Sequence, residues 1–261
     1  MSTRAIVFAA TCGALTFGCG TDQPRDGADD QQEIIDNLVE AGYQADDIRV
    51  VDGTVYVGND GAVNLQASRE MVTPDPSSNG KEQYRTTNLV SSSVTNICVN
   101  GAAFTGSFST ALTAAIANYN ALGLSFHMTR TSGSTTGCSA VITARTTTGT
   151  GGSSGFPSGG APFNTINIGT GLTSFAVATI THVITHELGH TVGFRHSDFF
   201  NRAISCGGAA SNEGTAGVGA ILIPGTPSTA VVGGSIMNSC FRTTETGRFT
   251  ASDITALNAL Y

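Results

Sequence analysis

Eleven consecutive residues, His186-Glu187-Leu188-Gly189-His190-Thr191-Val192-Gly193-Phe194-Arg195-His196, constrain this 261-residue chain more than any other stretch. Read as a helix, they put His186 and His190 four apart on one face, one turn above the other. Two imidazoles so placed can both reach one Zn²⁺ at the usual Zn–N distance of about 2.0–2.1 Å. Glu187 is rotated away from that face and falls beside the ion, where a carboxylate can take a proton from an activated water. The next helical turn cannot offer a third ligand, because it would overshoot the ion. Gly193 resolves this: glycine accepts a left-handed backbone, ends the helix and returns the chain so that His196 reaches the same ion. Three histidines leave a fourth position open, as in catalytic rather than structural zinc sites. With 5 His and 33 Gly in the chain, the full pattern arises by accident in roughly one such chain in 10⁵.

Two other histidines need separate readings. His182 lies one turn before His186 on the same face, but positions i, i+4 and i+8 span about 12 Å of helix, too far for one ion. It is expected to support the site rather than bind the metal. His127, in the apolar run Leu124-Ser125-Phe126-His127-Met128, reads as a strand residue.

Charge divides the chain near Lys81. Residues 22–82 hold 14 acidic and 4 basic side chains, whereas residues 83–261 hold 5 acidic and 7 basic. The larger part is rich in Gly, Ser and Thr and has no basic patch, which argues against a nucleic-acid partner. The first 19 residues read as an export signal: Arg4, then an apolar run too short to span a bilayer, with no transmembrane helix expected elsewhere. Gly18-Cys19-Gly20 resembles a lipoprotein cleavage site, with Thr16 where Leu is usual, so a lipid anchor at Cys19 and free secretion both stay open. Residues 20–82 read as an acidic pro-segment and linker, with a permanent small accessory domain as the alternative: a helix over 32–41, then two strands flanking the hairpin signal Asp52-Gly53, then an exposed stretch over 74–81. Within it Asp60 is a candidate to take the open zinc position. Residues 83–261 form the catalytic domain. It should hold a β-rich run over 88–99, a helix over 108–122, strands over 124–129 and 140–144, a long Gly/Ser/Thr loop over 146–161, a short strand Thr165-Ile166-Asn167-Ile168, the metal helix over 176–192, and a terminal helix over 251–260. That order suggests one α+β domain with a cleft beneath the metal helix.

The elongated motif resembles that of the metzincin zinc peptidases, and HELGHTVGFRHSD is similar to the dual-action HEIGH metallopeptidases, with Leu188 in place of Ile. Tyr84 to Val90, Phe156 to Pro162, Ile223 to Pro227 and Ser235 to Cys240 add support. The resemblance covers about residues 83–261. It implies a metzincin-like zincin: a mixed twisted sheet, an active-site helix and a loop-rich C-terminal half ending in a helix. It also implies one catalytic Zn²⁺ on His186, His190 and His196, Glu187 as general base, and Met237 in a turn beneath the metal. Ser239 stands where some metzincins place a tyrosine that helps hold the reacting carbonyl. The clan's edge strand, which holds a polypeptide substrate in extended form, is expected at Thr165, Ile166, Asn167 and Ile168. Cys98, Cys138, Cys206 and Cys240 suit two disulfides in an exported chain. Of the three connectivities, the expected one joins Cys98 to Cys138 across the sheet and Cys206 to Cys240 beside the Met237 turn. The expected activity is that of an exported zinc endopeptidase. The alternatives are a zinc hydrolase acting on a non-peptide ester or amide, and a non-catalytic surface binding protein on a peptidase fold. An exposed strand edge favours peptides, and intact Glu187 favours an enzyme. The sequence is silent on calcium and on oligomeric state.

Overall fold

A computed structural model of the chain describes residues 27–72, 83–214, 220–227 and 229–261. The expected export signal, Cys19 and the 74–81 linker lie outside the described residues. The chain opens with helix α1 (Gly27–Glu40), whose Ile34 and Leu38 turn inward while Val39 stays exposed. Strands β1 (Arg49–Val51) and β2 (Thr54–Val57) form the antiparallel hairpin that Asp52-Gly53 signalled. Both turn residues have positive φ, 48° and 81°, as a primed two-residue turn requires. Strand β3 (Gly61–Val63) and helix α2 (Leu65–Met71), capped by the Asn64 side chain, complete this unit. Neither was expected. Leu38, Val55, Val57, Ala67 and Met71 close a small core of their own, to which Phe156 is the contribution from beyond residue 82.

The rest builds on β4 (Tyr84–Arg85), β5 (Asn96–Asn100), α3 (Gly106–Asn120), β6 (His127–Thr131), β7 (Ala140–Thr147), β8 (Gly152–Gly155) and β9 (Thr165–Gly169). A short 3-10 turn then leads into α4 (Val177–Thr191), α5 (Ala203–Cys206), β10 (Ile221–Leu222) and α6 (Ala251–Leu260). Eight strands form one mixed sheet in the order β1-β2-β3-β8-β9-β7-β5-β6. β9, β7, β5 and β6 run parallel, and β8 is antiparallel to β9. The strand expected over 124–129 starts at His127, and residues 88–95 are irregular except for their approach to β5. A larger core lies between the sheet and helices α3 and α4, with Ile97, Ile142, Ile166 and Ile168 facing Leu112, Ile180, Ile184 and Leu188. The α+β architecture, the central metal helix and the terminal helix are as expected.

One expectation is overturned. Thr165–Ile168 is not an edge strand: β9 is hydrogen-bonded to β7 on one side and to β8 on the other, with Gly152 opposite Ile168 and Ser153 opposite Asn167. Strand β8, between β9 and β3, lies inside the Gly/Ser/Thr stretch that reads as loop, because Gly152-Ser153-Ser154-Gly155 carries none of the β-branched alternation that signals a strand. Its glycines are there for clearance. A Cβ on Gly155 would sit 2.7 Å from the Phe163 ring, and one on Gly152 would overlap the Glu187 carboxylate. β3 runs parallel along the far side of β8, with Gly61 opposite Ser154 and Ala62 opposite Gly155.

Candidate metal centre and catalytic cleft

α4 is buried from Thr179 to Thr191, so its register is fixed by packing on both sides. The Tyr119 hydroxyl of α3 donates to Thr185 O at 2.9 Å, and Ile180, Ile184 and Leu188 face the core. The helix ends as its glycine dictates. Gly193 has φ 103°; its N–H bonds His190 O at 2.9 Å, and the Phe194 N–H bonds Gly189 O at 3.0 Å. That pair of bonds is a Schellman termination. The reversed chain then pairs with β4, the Arg195 N–H donating to Tyr84 O at 2.8 Å, which fixes where His196 emerges.

The three imidazoles meet. His186 Nε2 lies 3.1 Å from His190 Nε2 and 3.2 Å from His196 Nε2. Each Nδ1 is held by an acceptor: His186 by Ile236 O at 2.8 Å, His190 by Phe194 O at 2.7 Å, and His196 by Glu213 Oε1 at 2.6 Å. A carbonyl or carboxylate acceptor keeps the proton on Nδ1, so three Nε2 lone pairs face one another with no proton between them. That arrangement is repulsive unless a cation sits among them. Tetrahedral ligands at about 2.05 Å from a zinc ion would be about 3.3 Å apart, close to the separations seen. The donor set therefore fits a divalent ion of the zinc type.

A fourth group completes the set. Asp60 Oδ2 is 3.2 Å from His196 Nε2 and 3.8 Å from His186 Nε2, and Asp60 Oδ1 is 3.7 Å from His190 Nε2. The positive φ values of Gly58 (63°) and Asn59 (78°) make the tight β2–β3 turn that delivers this side chain.

Glu187 is buried against β8, its position set by the clearance at Gly152. Its Oε2 has no hydrogen-bond partner within the described protein. Burial, then the negative charge of Asp60, raises its carboxyl well above the ordinary value. It lines a cavity of about 340 Å³ together with His186, Asp60, Arg202 and the segment Asn238-Ser239-Cys240-Phe241.

Met237 lies beneath the helix, buried against Gly189, where a Cβ would come within 2.6 Å of its Sδ. The turn that carries it is braced by Asp253 of α6, which accepts from the Ser235 hydroxyl at 2.6 Å and the Ile236 N–H at 3.0 Å. Asp198 accepts from Ser239 N at 2.9 Å. The Cys206–Cys240 disulfide (Cα–Cα 5.1 Å) ties the same turn to α5, and Cys98–Cys138 (5.5 Å) links β5 to the start of β7, the connectivity expected. His182 stands apart from the cluster of Nε2 atoms: its Nδ1 is 3.6 Å from Glu245, and burial followed by the neighbouring His186 lowers its pKa to about 4.

Sequence reading missed Glu213, Asp198, Asp253 and Gly152. Glu213 grips His196 through Oε1 and Arg195 through Oε2, at 2.6 and 3.0 Å.

Comparison with known proteins bears on these features. The sequence matches the profile of the family described as dual-action HEIGH metallo-peptidase over residues 55–261. That span begins within β2, upstream of the expected boundary at 82/83, and includes Asp60 as well as the whole of α4. Among curated proteins, no sequence matches. Two solved structures of myroilysin overlay on the chain. One does so at TM-score 0.39 and 14% identity, covering 67% of this chain and 95% of that one; the other at TM-score 0.37 and 14% identity, covering 64% and 82%.

Proposed function

Since the chain belongs to the dual-action HEIGH metallopeptidase family, we propose that it is an exported zinc-dependent endopeptidase with Glu187 as general base, held latent by its N-terminal unit. The observation that carries this reading is the convergence of three Nε2 atoms beside a buried carboxylate with an unpartnered oxygen. His186, His190 and His196 would hold the ion. When bound, zinc supplies Lewis acidity that polarises a peptide carbonyl and lowers the pKa of water. Glu187 accepts the proton of the attacking water and hands it to the leaving amine. The Asp198 and Asp253 braces fix the Met237 turn, and with it the orientation of His186 through Ile236 O.

Substrate selection follows from β8 rather than β9. With β3 withdrawn, β8 would present an open edge beside Glu187, and an extended polypeptide could pair with it by strand addition. Residues 20–82 act as a pro-segment in this reading. β3 covers the β8 edge, Ser154 N–H donates to Asp60 O at 2.9 Å, and the Asp60 carboxylate takes the fourth position at the histidines. Two disulfides agree with an oxidising destination. No helix among the described residues is long and apolar enough to cross a membrane.

The test is Glu187→Ala in the chain nicked between residues 73 and 82, measured against the nicked native sequence. It should retain about one zinc per chain while hydrolysis falls ~10²-fold or more, because the ligands stay and proton transfer is lost. Proteolysis at the native rate in that variant would overturn the mechanism.

A further inference from the structure

Arg202 is the formally charged cation on the wall of the cavity that holds Glu187 and His186. It immediately precedes α5, on the chain that follows His196, and its side chain is 14% exposed. Nη1 donates to Asp47 Oδ1 at 3.0 Å, and Asp47 belongs to the N-terminal unit. The other carboxylate nearby is Glu213, 3.7 Å from Arg202 Nε. Both Glu213 oxygens are already committed, Oε1 to His196 and Oε2 to Arg195. Arg202 Nε itself has no hydrogen-bond partner in the described protein. Two guanidinium groups thus face two carboxylates, and one of those carboxylates departs if the N-terminal unit departs. A largely buried cation left without its counter-charge is unfavourable, and a guanidinium fork with free donors matches a carboxylate in two-point fashion.

We propose that Arg202 selects substrates with an acidic side chain close to the scissile bond, and that Asp47 holds its place in the latent chain. The N-terminal unit then imitates an acidic substrate twice: Asp60 sits at the histidines and Asp47 on the cleft arginine. This inference deepens the peptidase reading above and rests on it.

The experiment uses the full-length chain nicked in the 73–82 connection, zinc-loaded, with peptide pairs that differ only by Glu/Gln or Asp/Asn next to the cleaved bond. Acidic members should be cut with kcat/KM ~10-fold or more above their amide partners, the range expected for one hydrogen-bonded charge pair. Arg202→Gln should bring that ratio near one, Arg202→Lys should keep part of it, and Arg202→Glu should favour peptides with Lys at the same place. Calorimetric binding of the same peptides to the nicked Glu187→Ala chain supplies a readout that does not depend on turnover. Acid-selective binding that depends on Arg202, with no hydrolysis by the zinc-loaded nicked chain of native sequence, would refute the peptidase reading and leave Arg202 as an acid-recognising site only. Efficient hydrolysis with no acid preference, or a preference that survives Arg202→Gln, would overturn the inference and leave the peptidase standing.

Discussion

Five carboxylates occur in residues 83–261, and the cleft or its braces use all of them. Glu187 lines the cleft, Glu213 orients His196, Asp198 and Asp253 hold the Met237 turn, and Glu245 faces His182 and Arg242. The histidines were legible because a helix and one glycine fix their geometry within eleven residues. Glu213 was not, since it lies 17 residues beyond His196 in irregular chain where no periodicity reports a partner. The scarcity of acids was the available signal: in so uncharged a stretch, each carboxylate that remains has a purpose. Glu213→Gln keeps the shape but removes the charge behind His196 Nδ1, and should weaken zinc binding ~10- to 100-fold in chelator competition. Native affinity in that variant would show that His196 needs no such partner. Gly152→Ala drives a methyl group into the Glu187 carboxylate. Zinc content should stay near one per chain while turnover of the nicked chain falls at least about tenfold, since the base proposed here loses its alignment when displaced by roughly 1 Å. A variant with native kcat would mean that Glu187 tolerates displacement.

Elements with a periodic face or a turn dipeptide were read correctly from the sequence. The β1–β2 hairpin follows from Asp52-Gly53, and α3, α4 and α6 follow from apolar spacing. The strand β9 was placed correctly along the chain but given the wrong position in the sheet, because lateral order depends on partners distant in sequence. β8 escaped because its glycines answer to Glu187 and Phe163 rather than to strand propensity. β3 and α2 escaped because each is too short to show a period. The end of α4 is the element most exposed to a single substitution. Gly193→Ala would place a left-handed backbone on an L-residue and a Cβ 2.7 Å from Asn88 O. The expected loss is about 1–3 kcal/mol, a fall in Tm of roughly 2–12 °C for a chain of this size. His196 should lose its place at the metal in the same step. A thermal melt and zinc titration that both match the native protein would contradict this account of the turn.

At the scale of the whole molecule, the described part of the acidic segment, residues 27–72, meets the weakly basic part beyond residue 82 along one sheet, with β3 as the shared seam. The two parts keep separate cores, Phe156 alone among the described residues beyond 82 joining the smaller one, which is the construction expected of a part that can leave. The seam is also polar: Asn88 Nδ2 donates to Glu70 Oε2 at 3.0 Å and to Ala67 O at 3.2 Å, and Gly159 N–H donates to Glu70 Oε1 at 2.8 Å. Charge asymmetry was visible in composition, whereas the parallel seating of β3 on β8 was not, because it joins residues more than ninety positions apart. The central claim is that this is a zinc peptidase silenced by its own N-terminal unit. Its most direct test is peptide hydrolysis by the intact chain and by the same chain nicked between residues 73 and 82, each with and without a chelator. The account predicts an intact chain that is nearly inactive, a nicked chain that cleaves peptides, loss of that activity on chelation and its return with zinc. Activity in the nicked chain that a chelator leaves untouched, or a zinc-loaded nicked chain that cleaves no peptide, would contradict it.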